Sequence, residues 1–263
     1  MELTLYQVDA FADRLFAGNP AAVCPLQEWL PDATMQAIAG ENNLSETAFF
    51  VAEPEGLRIR WFTPSCEVKL CGHATLASGY VYFHHVAPQA GQVVFNSLSG
   101  PLTVSRHGDL LTLDFPATPV EPVAAPALLE SALGARPLEV YAADDWLVVL
   151  DSAERVRKLQ PSMALLRQLE RRGVIVTARG DDCDFVSRFF APKYGIDEDP
   201  VTGSAHTKLT PYWALQLGKA QLRARQLSAR GGELQCELRG ARVLISGRVV
   251  PYLTGSINLG GGT

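Results

Sequence analysis

The 263-residue chain reads as an α+β protein made of two similar lobes, and three observations carry that reading. Short β-type runs alternate with a few helical patterns along its whole length. Motifs of the first half recur in the second at nearly one spacing. A proline-rich stretch lies near the middle. The composition permits such a fold: 47% of residues are hydrophobic and 19% charged, with no low-complexity tract. A chain of this length buries a core without disulfides or metal staples.

The strands come first. Residues 3–10 alternate, 47–51 and 57–62 are compact β-type runs, and 93–96 follows. Residues 102–105 and 110–115, separated by His107-Gly-Asp109, form a hairpin pattern. Helical patterns cover about 31–40, where Pro31 suits a first-turn position, then 72–84, 125–133, 162–171 and 203–217. The stretch 116–126 holds four prolines in eleven residues, which resists both helix and sheet and is read as the linker. The expected lobes are therefore residues 1–117 and 118–263, with the last strand free to return to the first lobe.

The repeat is specific. Arg60-Trp-Phe-Thr-Pro64 recurs as Arg188-Phe-Phe-Ala-Pro192, an offset of 128 that sets Cys71 opposite Asp199. Gly72-His-Ala74 then matches Gly203-Ser-Ala205 at an offset of 131, and Gly100-Pro-Leu102 resembles Gly232-Glu-Leu234 at 132. Two copies imply paired lobes rather than a solenoid.

Charge and cysteine usage narrow the function. Lys+Arg 23 against Asp+Glu 28 gives a net charge of −5, which disfavours nucleic-acid binding. The one basic cluster, Arg167 to Arg172, falls in a helical pattern and is expected to be a solvated helix face. The amino terminus lacks the basic leader and apolar run of an export signal, and no stretch approaches a membrane span. Five scattered cysteines without a Cys-x-x-Cys pair fit a reducing compartment, so a cytoplasmic protein without membrane contact is expected. None of the five histidines forms a His-x-x-x-His pair and no phosphate-binding glycine motif occurs. No metal and no nucleotide cofactor are expected.

In each lobe a strand and a turn lead to the amino end of an apolar helix, whose free N–H groups suit an anion. Cys71 and Asp199 stand before those helices, and both can move protons. Converging on one cleft, they would suit proton transfer at a carbon beside a carboxyl group. Each also has a plain structural reading. Glu46, at the mouth of an apolar run, is either a solvent-facing strand start or a cleft base. Asp199 also suits a helix N-terminus, Cys71 a buried core position, and His73 either core or cleft.

Glu46 within Ser-Glu-Thr-Ala-Phe, Phe62-Thr-Pro64, Glu67, Cys71-Gly-His-Ala-Thr75, Asp199-Pro-Val-Thr-Gly-Ser204 and Gly18-Asn-Pro20 together resemble the PhzF-like family of phenazine biosynthesis, within the diaminopimelate-epimerase-like superfamily. The resemblance spans essentially the whole chain. It implies two lobes, each a curled, mostly antiparallel sheet around a central helix, with the active site between them and a homodimer common. It also implies cofactor-free acid–base isomerisation of a small carboxylate-bearing substrate. By matching positions, Glu46 is the proton-shuttling carboxylate, with His73 and Asp199 as its partners. Cys71 keeps one cysteine of the epimerase pair, while Asp199 takes the place of the other. Gly72, Ala74, Gly203 and Ser204 are expected to bind the substrate carboxylate. A racemase using Cys71 against Asp199, and a ligand-binding relative without chemistry, stand as alternatives.

Overall fold

The computed structural model describes residues 1–260 and divides into two compact units. One comprises residues 1–114 with the chain from Ser246 onward, and the other runs from Phe115 to Ile245.

The first unit is built from β1 (Glu2–Ala10), β2 (Asn19–Leu26), α1 (Asp32–Asn42), β3 (Glu46–Glu53), β4 (Gly56–Phe62), β5 (Glu67–Val68), α2 (Gly72–Val81), β6 (Gln92–Ser97), β7 (Gly100–His107) and β8 (Leu110–Pro116). β1 pairs antiparallel with β2, β2 runs parallel to β3, β3 pairs antiparallel with β4, β4 runs parallel to β6, and β6–β7–β8 is an antiparallel meander. α1 covers one face. Its Met35, Ile38 and Ala39 pack on Leu5, Cys24, Phe49 and Phe62, and Asn43 ends it in the left-handed region at φ 48°. Pro31 stands just outside this helix as its N-cap.

α2 has no polar face. His73 through Gly79 and Val81 are all buried, as suits a helix enclosed by its sheet. Strands from both ends of the sheet, β1 and β7, touch it, so the sheet curls around it. Beyond Val81 the helix loosens into a π turn at Tyr82–Val86.

The second unit contains β9 (Glu121–Pro122), α3 (Leu129–Leu133), β10 (Glu139–Ala142), β11 (Trp146–Val149), α4 (Ala153–Lys158), α5 (Met163–Leu166), β12 (Val174–Arg179), β13 (Phe185–Ala191), β14 (Ile196–Asp199), α6 (Gly203–Leu217), β15 (Gln221–Gln226), β16 (Gly232–Arg239) and β17 (Arg242–Gly247). Its strands repeat the same code: β10–β11 antiparallel, β11–β12 parallel, β12–β13 antiparallel, β13–β15 parallel, β15–β16 antiparallel. α6 is the counterpart of α2, and its residues from Gly203 to Trp213 are buried apart from Ser204 and Pro211. The final strand β18 (Val249–Asn258) pairs antiparallel with β1 of the first unit.

Side chains repeat as well. Arg60 forks onto Glu67 at 2.7 and 2.7 Å with its guanidinium 5.1 Å from the Phe62 ring. Arg188 forks onto Glu198 at 2.7 and 2.9 Å and lies 4.9 Å from the Phe190 ring. The duplication inferred from the motifs is thus present as the same buried-edge ion pair in each unit.

Four details depart from the sequence reading. The helix expected over 125–133 begins only at Leu129, because Pro126 holds the preceding chain extended. The helix expected over 162–171 is a single turn, Met163–Leu166, and α4 was not anticipated although Ser152 caps it by accepting from Arg155 N. Arg171 and Arg172 are no solvated helix face: their guanidinium groups lie 4.8 and 5.3 Å from the Trp146 and Phe189 rings. The proline-rich stretch is fastened rather than loose. Pro211 inside α6 cannot donate to the Thr207 carbonyl, and Thr118 N fills that vacancy at 3.0 Å. Among the described residues no helix is long and apolar enough to cross a membrane.

Gly79 marks the closest approach of α2 to the sheet, since a Cβ there would sit 2.7 Å from Val104 Cγ1 on β7. Gly79→Ala should lower unfolding stability by about 1–2 kcal/mol, overpacking outweighing the gain in helix propensity. Denaturant melts check this, and combining it with Val104→Ala should recover part of the loss.

Candidate active site

Each candidate group of the first unit is placed by an element already described. The parallel pairing of β2 with β3 sets Ala21 opposite Glu46, so Glu46 opens β3 beside the entry of β2. Cys71 is the N-cap of α2, Gly72 its first residue and His73 its second. Glu46, Cys71 and His73 are all buried, with 8%, 6% and 4% of their surfaces exposed. His73 Nε2 lies 3.2 Å from Glu46 Oε2. Its other nitrogen, Nδ1, lies 3.1 Å from Asn19 Nδ2 and 3.6 Å from Cys71 Sγ. Ala74 is wholly buried, so only its backbone could meet a ligand.

Burial drives the pKa of His73 down to about 3, against a smaller opposing effect from the backbone of Pro20. The ring is therefore neutral across the physiological range. A neutral imidazole has one donor and one acceptor nitrogen. Which nitrogen carries the proton is set by the contacts of the ring with Asn19 Nδ2 and the Pro20 backbone, while Nε2 stands 3.2 Å from Glu46 Oε2. A neutral ring this close adds no positive charge to hold the Glu46 carboxyl group ionised.

Glu46, Cys71 and His73 also bring a carboxylate oxygen, a sulfur and an imidazole nitrogen within 4.8 Å of one another, a donor set that could close on a soft divalent ion. Histidine spacing in the sequence gave no sign of this, because the three groups come from separate places on β3 and at the start of α2.

In the second unit Asp199 ends β14 opposite Phe189, and α6 begins at Gly203 with Ser204 second. Asp199 is 8% exposed and its Oδ2 accepts from Thr202 Oγ1 at 2.5 Å. Gln226, buried at the end of β15, donates to the Asp199 carbonyl at 2.7 Å and accepts from Thr202 N at 2.9 Å. This corrects one equivalence drawn from the motifs. The N-cap matching Cys71 is Thr202, and Asp199 stands three residues earlier. The Arg60–Glu67 and Arg188–Glu198 pairs show why: the three extra residues of the second half fall before Glu198, not after Asp199.

Asn19, Gln226, Arg172, Asp145 and Lys208 shape these sites without having been singled out for a role. Two signals were present: Asp144-Asp145 stand directly before an apolar strand, and Lys208 interrupts an apolar helical run.

The profile of the phenazine biosynthesis-like protein family (PhzC-PhzF) matches residues 8–255. The chain belongs to that family. A Pseudomonas aeruginosa protein named as an uncharacterized isomerase is 54% identical, over 98% of this chain and all of its own length. The crystal structure of a PhzF-family protein from Enterococcus faecalis superposes with a TM-score of 0.96 at 47% identity, covering 98% of this chain and 100% of that one. A hydroxyproline epimerase from Agrobacterium vitis, at 10% identity, shares the fold with a TM-score of 0.64 over 98% of this chain and 93% of its own. The fold is thus the diaminopimelate-epimerase-like one expected from the motifs.

Burial also holds His206, on α6, down to about 4. Both histidines are neutral when folded but titrate near 6.5 when unfolded. The unfolded chain therefore binds protons first, so stability is full above about pH 7 and declines as pH falls from 6.5 toward 4. Each histidine contributes a slope of about 1.4 kcal/mol per pH unit in that window. Urea unfolding of the His206→Gln variant should be less pH-dependent between pH 7 and 5 by about 2 kcal/mol. An unchanged slope would contradict the burial argument.

Proposed function

We propose that this chain is an isomerase that moves a proton on a small carboxylate-bearing metabolite by acid–base chemistry of its own side chains. The observation that carries the reading is the buried Glu46–His73 pair at 3.2 Å, with the imidazole held neutral. Glu46 removes a proton from a carbon beside a carboxyl or carbonyl group, and the electron pair delocalises into that group. The proton then returns at another carbon, so the product is an isomer and nothing is oxidised or consumed. His73, neutral and 3.2 Å from Glu46, adds no positive charge that would hold the carboxyl group ionised.

In the second unit the proposal gives Asp199 the role of the other proton-handling group, poised by Thr202 and Gln226. Ser204, with Gly203, takes the substrate carboxylate at the start of α6, and Gly72 does the same at α2. That relatives of matching length are named isomerases supports this class of chemistry.

A second reading is supported by one contact, Cys71 Sγ at 3.6 Å from His73 Nδ1. A thiol beside an imidazole can serve as an acid–base group, as a racemase would need. The two readings separate by mutation. Proton NMR in heavy water against a panel of 2-amino acids, trans-4-hydroxy-L-proline and unsaturated cyclic carboxylates should reveal solvent exchange into the substrate. Glu46→Gln should lower that exchange by about a hundredfold or more, while Cys71→Ser changes it by about tenfold at most. Loss on Cys71→Ser with Glu46→Gln still active would favour the racemase, and no exchange with any member would overturn both.

A further inference from the structure

The hydroxyl of Ser204 is not left to rotate. Arg172 Nη2 donates to its Oγ at 3.0 Å. A serine hydroxyl has one proton and two lone pairs, so a cationic donor on a lone pair turns the O–H outward as a donor. Ser204 is partly exposed, and so available to a ligand, although its neighbours Gly203 and Ala205 are buried.

Arg172 is itself fixed on several sides. Its Nε and Nη2 fork onto Asp145 at 2.8 and 2.6 Å, its backbone N donates to the Asp144 carbonyl at 3.1 Å, and its guanidinium lies 5.3 Å from the Phe189 ring. Asp145 is fully buried. Lys208, also buried, reaches Asp145 at 3.0 Å, Asp144 at 2.8 Å and the Ser204 carbonyl at 3.2 Å. Two carboxylates thus meet two cations. Asp199 adds a third carboxylate acting on Arg172 by charge, and what the arrangement delivers to Ser204 is orientation.

The register gives this arrangement a meaning. Pairing of β2 with β3 sets Ala21 opposite Glu46, and pairing of β11 with β12 sets Trp146 opposite Val174. Counted from Arg60 (opposite Phe49, itself opposite Cys24) and Arg188 (opposite Val176, itself opposite Val148), Pro20 and Ala21 of the first unit correspond to Asp144 and Asp145 of the second, and Asn19 stands one residue before them. In the first unit Asn19 meets the second residue of the central helix, His73, directly. In the second unit that residue is the much shorter Ser204, and the strand entry reaches it through Arg172. A strand-entry side chain orients the second residue of the buried helix in both units.

We propose that Arg172, fixed by Asp145, is a positioning residue that sets the Ser204 hydroxyl as a donor and thereby selects an anionic carboxylate over its uncharged amide. The inference rests on the assignment of Ser204 to the substrate carboxylate made above. Calorimetric titration with benzoate and with benzamide tests it. The native protein should prefer benzoate by about tenfold or more. Arg172→Lys keeps the charge but cannot span Asp145 and Ser204 together, and should lower benzoate affinity about tenfold with benzamide unchanged. Asp145→Asn should do the same by releasing the arginine. Ser204→Ala should lose a similar factor, and Arg172→Lys in the Ser204→Ala background should lose nothing more, because the two act as one unit. A general loss of structure would weaken both ligands alike and shift the melting temperature.

Three results would overturn the inference: unchanged benzoate binding in Arg172→Lys, losses that add in the double variant, or a native protein without preference for benzoate. If Glu46→Gln abolishes solvent exchange while Arg172→Lys binds as the native protein does, this inference falls and the proposed function stands. If the native protein exchanges no substrate proton yet Arg172→Lys loses the preference, the reverse holds.

Discussion

A helix buried on every side concentrates its polar problem at its amino end. Along α2 the backbone satisfies itself, and along α6 Thr118 N completes the one carbonyl that Pro211 releases, but the first turn of each offers N–H groups with no partner in the helix. Polar side chains must gather there, held by the strands that wrap the helix. In this protein those side chains are Glu46, Cys71, His73 and Asn19 in one unit and Asp199, Thr202, Gln226 and Ser204 in the other. The site is thus a consequence of the architecture: burying the helix makes the region around its start the place where chemistry can be done.

The same enclosure sets the chemistry. Removing water from His73 favours its neutral form beside Glu46. Around Arg172, by contrast, burial would favour losing the proton, yet the hydrogen bond and charge of Asp145 more than compensate and hold it protonated. One fold therefore holds a neutral imidazole in one unit and a locked ion pair in the other. Since the two units share strand order and register, the difference comes from a few substitutions at equivalent places: Pro20 against Asp144, Ala21 against Asp145, His73 against Ser204.

Much of this was legible in the sequence. The repeated Arg-x-Phe-x-Pro and Gly-x-Ala motifs mark positions whose backbone and ion pairs truly correspond, and the alternating run at 3–10 and the compact β-type run at 57–62 are strands. Glu46, Cys71 and His73 stood out because they flank a helix start and an apolar strand. Other features depend on contacts distant in sequence. Arg172 lies in a charged stretch that looks solvated, and only the fold of β11 against β12 brings it under Asp145 and over Phe189. The match of Cys71 to Asp199 failed because a motif alignment cannot locate a three-residue insertion, whereas the Arg188–Glu198 pair does. Pro116 to Pro126 looked like a free linker until the carbonyl released by Pro211 gave it an anchor.

The central claim is that burial holds the imidazole beside Glu46 neutral. Nitrogen NMR of the His73 ring, followed from pH 8 to about pH 4, tests this most directly. The account predicts a neutral ring throughout that range. A ring that takes up a proton near pH 6.5, as an exposed histidine does, would contradict it.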